Sequence, residues 1–468
     1  MSFVAIDGTI QPHLVADYLP QPQICTSGCS LYAALGDPRT FPHNNHSALM
    51  YTSTDGTSWS LIDESHSPLF AQGDGEVQVA LYGYGTTLEA VGETTFPDTF
   101  DPNSNTKTVS FDPSTNLWLS TTRLTVEQGN TSDFLSVARW FSAYRPDGSY
   151  VVVFQENDDS PTGVQIKKRT AGGTWSTLAT LTDPGPIGIL LQSAVIGSTG
   201  IIYLLLMTAD VDSGDASLYC VTISIADIVS SLQLVEANIT SGGEGVRGGN
   251  YSGFGDIDPV SGEISFVYVK GISSFFNGYG NIRLARAMPS LSPSWTLETV
   301  ISGTSPTPSY PSPQLGVVYL GSTINVFYTR PTASDPSSGT DAKLYQIVKS
   351  GTWGSQTLLY TDTRGANGQF NLIRYNGQIG ILWAVQGKGV LYSGIEVCSG
   401  NPLNVSVGDS FNFSDISSPQ DSLLIATQPF FPSDCGHGNL IVESDEVPVN
   451  PGLGSGCGGG YDSLVEAD

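Results

Sequence analysis

Ser53-Thr54-Asp55-Gly56-Thr57-Ser58-Trp59-Ser60 reads as a tight polar turn that ends on a tryptophan and leads into a strand. Asp, Gly and Ser supply the turn conformations, and the flanking Ala48-Leu49-Met50-Tyr51 and Leu61-Ile62 supply strand formers. The indole is a periodic mark: Trp59, Trp118, Trp175, Trp295 and Trp353 follow one another at intervals of 59, 57, 120 and 58 residues, the third being a double step. The same strand, turn and strand surround Trp118 in Thr108 to Leu119, Trp175 in Ile166 to Leu181, Trp295 in Arg283 to Val300 and Trp353 in Leu344 to Tyr360. Ser231-Leu232-Gln233-Leu234-Val235 fills the skipped place with leucine instead of the indole. A period of this length, built from short alternating segments and turn clusters, predicts radial repetition of small antiparallel sheets, a β-propeller.

Outer hairpins centred near residues 59, 118, 175, 233, 295, 353 and 411, the last at Phe411-Asn412-Phe413, predict an all-β chain of seven four-stranded antiparallel blades, with six as the alternative count. The ring is expected over residues 1–414, followed by a short irregular C-terminal extension over 415–468. In that extension Leu423 to Phe431 reads as one more strand, and Pro448 to Tyr461 is glycine-rich with no apolar face, an arm that lies on a partner or a flexible end. Ring closure has two solutions: Phe3 to Ile6 as the outer strand of the last blade, or every blade whole. Ile201 to Met207 is apolar on both faces, as expected of a strand sandwiched between neighbouring blades, and is too short to span a bilayer. Ile223 to Leu232 is the one fair helical candidate and reads better as strand and turn.

With 18 Lys plus Arg against 44 Asp plus Glu, the formal net charge is −26, a field that opposes nucleic acid and anionic membrane surfaces. The surface is then built mostly from Ser, Thr, Asn, Gln and Tyr, which suits sugar binding or tight protein assembly. Met1 to Gly8 has no basic segment followed by an apolar one, so no secretory signal is read there, and the six Asn-x-Ser/Thr sequons are taken as chance products of a Ser/Thr-rich chain. An extracellular-looking composition without an export signal points to a virion or extracellular setting, with no transmembrane segment. Cys25, Cys29, Cys220, Cys398, Cys435 and Cys457 permit disulfides without demanding them. Cys25 and Cys29 either close a small loop or stay free, and a zinc site from Cys25, Cys29, Cys435 and His437 would need both chain ends to converge.

The Ser53 to Trp59 hairpin resembles the Asp-box of sialidase-like propellers, although Gly56 follows Asp55 directly and the other copies keep only the tryptophan and part of the turn. In that family the box is structural: the Asp bonds turn amides and the indole packs between blades. The resemblance therefore implies fold and not activity. The family's sialidases also imply an arginine triad, a Tyr and Glu nucleophilic pair, an Asp acid and an early Arg-Ile-Pro motif. This chain has no Arg-Ile-Pro, its nearest approximations being Tyr144-Arg145-Pro146 and Thr329-Arg330-Pro331. Arg139, Arg247, Arg283, Arg286 and Arg374 are the arginines that could meet in a channel, and Asp133, Glu156 and Asp256 are the carboxylates that a glycosidase could use. The five histidines offer no Ser/His/Asp arrangement, and no phosphate-binding loop precedes a helix.

Candidate binding residues are the aromatics Trp140, Tyr251, Phe275, Phe276, Tyr279 and Tyr310, flat faces for a sugar ring or a partner chain, with Asn277-Gly278 turning the hairpin between Phe276 and Tyr279. No cofactor is expected. Oxygen-rich loops, above all Asp210, Asp212 and Asp215, have the ligand type for calcium and also make good turns. The chain therefore reads as a non-catalytic β-propeller for binding or assembly, a bacteriophage virion component (tail, fibre or capsid-associated) that is oligomeric and contacts partner subunits or surface glycans. The alternative is a sialidase-like glycoside hydrolase. Three arginines or two carboxylates converging at one channel mouth would favour the enzyme.

Overall fold

The computed structural model describes residues 4–7, 23–27, 30–36, 48–62, 77–84, 87–94, 105–112, 117–118, 122–123, 140–155, 164–181, 189–209, 216–240, 254–270, 281–302, 315–321, 323–331, 342–362, 370–375, 377–385 and 389–396. These residues form seven antiparallel sheets, each a blade, and in the first six the strands pair in chain order from inside to outside. The inner strands are Gln23–Ser27, Val77–Tyr84, Trp140–Tyr144, Ile189–Ile196, Phe254–Ile257, Leu315–Leu320 and Phe370–Tyr375 for blades 1 to 7. Each inner strand touches the next and the seventh touches the first, so the ring closes.

Closure uses the N-terminus. In blade 7 the third strand, Gly389–Glu396, pairs with Val4–Asp7, Val4 opposite Tyr392 and Ala5 opposite Leu391. The first strand thus locks the last blade by main-chain bonds, one of the two closure schemes expected. The predicted copy near Phe411 lies outside the described residues, and the outer place of blade 7 belongs to Val4–Asp7.

Apolar residues on both strand faces are explained by seven separate cores, one in each gap between blades. Side chains alternate across a strand. In the second strand of blade 4, Ile202, Leu204 and Leu206 therefore pack toward Val151 and Val153 of blade 3, while Tyr203, Leu205 and Met207 pack toward Phe266 and Tyr268 of blade 5. Between the inner strands of blades 1 and 2 one backbone contact leaves no room for a side chain. A methyl group at Gly83 in the inner strand of blade 2 would meet the carbonyl oxygen of Thr26 in blade 1 at 1.6 Å.

The periodic tryptophans sit where the third strand turns into the outer one. Trp59 meets Tyr392 of blade 7 edge to face at 5.3 Å between centroids, and Trp175, Trp295 and Trp353 join the cores shared with the preceding blades. At the Ser53 to Trp59 turn, Asp55 Oδ1 accepts from the amides of Thr57 at 2.7 Å and Ser58 at 2.8 Å, Ser53 Oγ accepts from the Gly56 amide, and the Trp59 indole donates to the Gly56 carbonyl. In blades 3 to 6 the outer pairing carries a register shift at equivalent places, such as Ile166/Lys167 and Ile282/Arg283, which adds twist at the rim. Ile223–Leu232 is strand end and turn, with Ile223 bridging Val229. Among the described residues no helix is long and apolar enough to cross a membrane.

The ring has two unlike ends. Inner strands finish at a turn end, where tight turns such as Arg145 to Ser149 and Asp258 to Glu263 return the chain. At the opposite, loop end, inner strands begin and the second strands finish.

Candidate functional site

Several charged side chains of the described residues meet in the gaps between blades. Glu89 of blade 2 is fully buried and accepts from Ser110 Oγ at 2.7 Å, Tyr144 Oη at 2.6 Å and Arg169 Nη2 at 2.5 Å, the last two from blade 3. Arg169 also lies over the Tyr150 ring, 4.9 Å from its centroid. Glu236 of blade 4 is held by Lys270 at 2.7 Å, Arg283 at 3.1 Å and the Tyr268 hydroxyl, all from blade 5. Arg286 joins Glu263 and Glu298 within blade 5, and Glu298 accepts in turn from Lys349 and the Trp353 indole of blade 6. Arg145, buried at the end of the inner strand of blade 3, pairs with Asp227 of blade 4 at 2.6 Å.

The nearest approach to an axial constellation is at the turn end. Arg374, on the inner strand of blade 7, donates to Asp256 Oδ2 at 3.1 Å and to the Ile257 carbonyl at 3.0 Å on blade 5. Asp256 Oδ2 also accepts the Tyr319 amide of blade 6 at 2.7 Å. Three adjacent blades are thereby tied at one mouth.

This geometry bears directly on catalysis. Arg283, Arg286 and Arg374 each pair with different carboxylates, so these three do not converge on a common anion. Asp256 is engaged by an arginine and an amide rather than presented to a substrate. Tyr144 and Glu89 are in contact across the gap between blades 2 and 3. Burial and the Glu89 carboxylate push the Tyr144 hydroxyl well above the ordinary tyrosine range, so it keeps its proton and donates it in a hydrogen bond. Burial raises Glu236 too, but bonds from Lys270, Tyr268 and Arg283 outweigh it and hold the carboxyl below its ordinary value. Burial likewise opposes the charged form of Glu298, and the bonds from Lys349 and Arg286 bring it down. These are ionised, satisfied groups that join blades.

Trp140 opens the inner strand of blade 3, its backbone opposite Phe154. Tyr251, Phe275, Phe276, Tyr279, Tyr310, Asp210, Asp212 and Asp215 lie outside the described residues, as do Asp133, Glu156, Arg139 and Arg247. The strand ends that flank the candidates nonetheless share one end of the ring: Ala209 and Ala216 in blade 4, Thr240 leading to Phe254, Lys270 and Asn281 in blade 5, and Ile301 leading to Leu315. All of these, with Trp140, are at the loop end. Among the described residues no group of three or more His, Cys, Asp and Glu could hold a metal ion. Cys25 and Cys220 are buried free thiols, which leaves Cys25 outside any loop-closing bridge; Cys29, Cys435 and His437 lie outside the described residues.

Sequence reasoning missed Glu89 and Glu236. The available signal was a carboxylate at an inward position of an otherwise apolar alternation, Leu88-Glu89-Ala90-Val91 and Leu234-Val235-Glu236, which demands a partner from the facing sheet.

No family model matches the chain, and no curated protein matches it. Solved structures with a similar fold include a Penicillium chrysogenum alpha-L-arabinanase complexed with arabinobiose, at 12% identity and TM-score 0.48, over 84% of this chain and 98% of that one. Phage phi92 endosialidase aligns at 10% identity and TM-score 0.45, over 88% of this chain and 72% of that one. The NanB sialidase of Streptococcus pneumoniae aligns at 13% identity and TM-score 0.41, over 84% and 70%. The likeness is one of architecture alone, and the seven antiparallel blades are the chain's own.

Proposed function

We propose that this chain is a non-catalytic binding propeller of a bacteriophage virion, using its loop end to hold a surface glycan or a partner subunit. One observation carries the proposal: every aromatic candidate is either at, or flanked by strand ends at, the loop end of blades 3 to 6. Flat aromatic faces among neutral polar residues stack on sugar rings without needing charge. The Ser53 to Trp59 turn, an Asp-box in this reading, supports the scaffold and takes no part in binding.

The test is binding of the full chain to immobilised bacterial surface polysaccharide, alongside assays for release of sialic acid and of arabinose oligomers. Expected are saturable binding, a loss of at least about tenfold in affinity for Phe275→Ala/Tyr279→Ala with an unchanged melting temperature, and no released sugar. Turnover by the wild-type protein would overturn the non-catalytic reading. Failure to co-sediment with phage particles would overturn the virion assignment.

A further inference from the structure

Of the large apolar side chains that are exposed among the described residues, most belong to two adjacent blades. Ile225 and Ile228 of blade 4 and Val260, Met288 and Leu291 of blade 5 lie in turns at the turn end, Ile228 being 65%, Val260 61% and Met288 57% exposed. Contacts between the turns make them one surface. Thr222 Oγ1 and Gln233 Nε2 of blade 4 donate to the Leu291 carbonyl at 2.9 and 2.8 Å, and the Ser290 amide donates to Tyr203 Oη at 3.2 Å. The turn holding Val260 abuts the one holding Met288, since a methyl group on Gly262 would meet Pro289 Cγ at 3.1 Å. A contiguous apolar patch of this kind, on a face other than the one assigned to binding, marks a contact surface.

The chain supplies an occupant. Glu396, the last residue of the third strand of blade 7, pairs with Gln378 at the turn end, so residues 397–468 depart from the same end of the ring as the patch. That segment has no Lys or Arg, and its ten acidic residues are repelled by residues 1–396, whose 18 Lys plus Arg against 34 Asp plus Glu leave a formal charge of −16. Among its uncharged stretches Ser422 to Ser433 is the most apolar, with Leu423, Leu424, Ile425, Phe430 and Phe431. Residues 397–422 span roughly 80 Å when extended, and blade 5 is two blades from blade 7, at about 10 Å per packed pair of sheets. We infer that Leu423 to Phe431 lies on the turn-end patch of blades 4 and 5 of its own ring. The acidic tail is then held by its most apolar stretch, which carries no charge, and the loop end stays open.

Hydrogen exchange on the full chain tests this, because Ile228 and Leu291 are surface residues whose substitution leaves the cores intact. In the wild type, amides of 423–431 are expected to exchange at least about tenfold more slowly than an unprotected chain. In Ile228→Asp/Leu291→Asp that protection is lost while the strands of blades 4 and 5 keep theirs. The reverse change, Leu424→Asp/Phe430→Asp, speeds exchange in the turns at 225–229 and 288–292. Unprotected amides at 423–431 in the wild type would overturn the inference, as would protection that survives the patch substitution. Protection that disappears on dilution would also overturn it, assigning the patch to a second copy.

Discussion

Arg374 reaches across an entire blade to Asp256: its guanidinium, on the inner strand of blade 7, lies 3.1 Å from a carboxylate on the inner strand of blade 5 and spans the inner strand of blade 6 between them. The Tyr319 amide completes the clamp. Removing one partner of such a largely buried pair strands the other, so Arg374→Ala should lower unfolding free energy by about 3 kcal/mol. Urea denaturation followed by tryptophan fluorescence measures it; a change below about 0.5 kcal/mol, the level of a surface substitution, would show that the clamp is incidental.

Gly56 has φ of 72°, and a methyl group there would meet Tyr392 Cε1 at 2.6 Å. Strain in the turn and the clash at the joint of blades 1 and 7 act together. Gly56→Ala is expected to cost about 2 kcal/mol, with a lower melting temperature in calorimetry. An unchanged melting temperature would mean that the joint adjusts freely.

Acid should loosen the ring through its inter-blade carboxylates. The Glu236 and Glu298 carboxyls sit below their ordinary value in the folded protein. The unfolded chain therefore binds protons first as the pH falls. The stability these groups confer is complete above the ordinary glutamate pKa, about 4.3, and is lost as pH falls through the lower folded values. Denaturation midpoints should be flat from neutral pH to about 5 and decline below about 4.5. Glu236→Gln should shrink that decline; an identical pH profile in the variant would assign it to other groups.

Thiol reactivity should report global unfolding. Burial pushes the Cys220 thiol up to about 12 and raises Cys25 further still. Both should resist a disulfide reagent at pH 8 in the native protein and react at once in denaturant. Mass mapping of the labelled peptides distinguishes them from the other cysteines, and native labelling at Cys25 would contradict its burial between blades 1 and 2.

The tryptophan period carried most of the architecture because it is a local quantity: each indole follows its own turn and enters the same kind of gap, so Trp59, Trp175, Trp295 and Trp353 could be counted in one dimension. Two-sided runs such as Ile201 to Met207 announced their burial for the same reason, with alternate residues serving opposite neighbours. Nothing local says which carboxylate meets which cation. Arg283, Arg286 and Arg374 looked equally available as a triad until the ring set them beside Glu236, Glu263 and Asp256. Glu89 and Tyr144, 55 residues apart, are joined by a hydrogen bond only because blades 2 and 3 face each other. Closure was undecided for a similar reason. Val4–Asp7 and Gly389–Glu396 stand at opposite ends of the described chain, and their pairing follows from the circle returning to its start rather than from anything either strand contains.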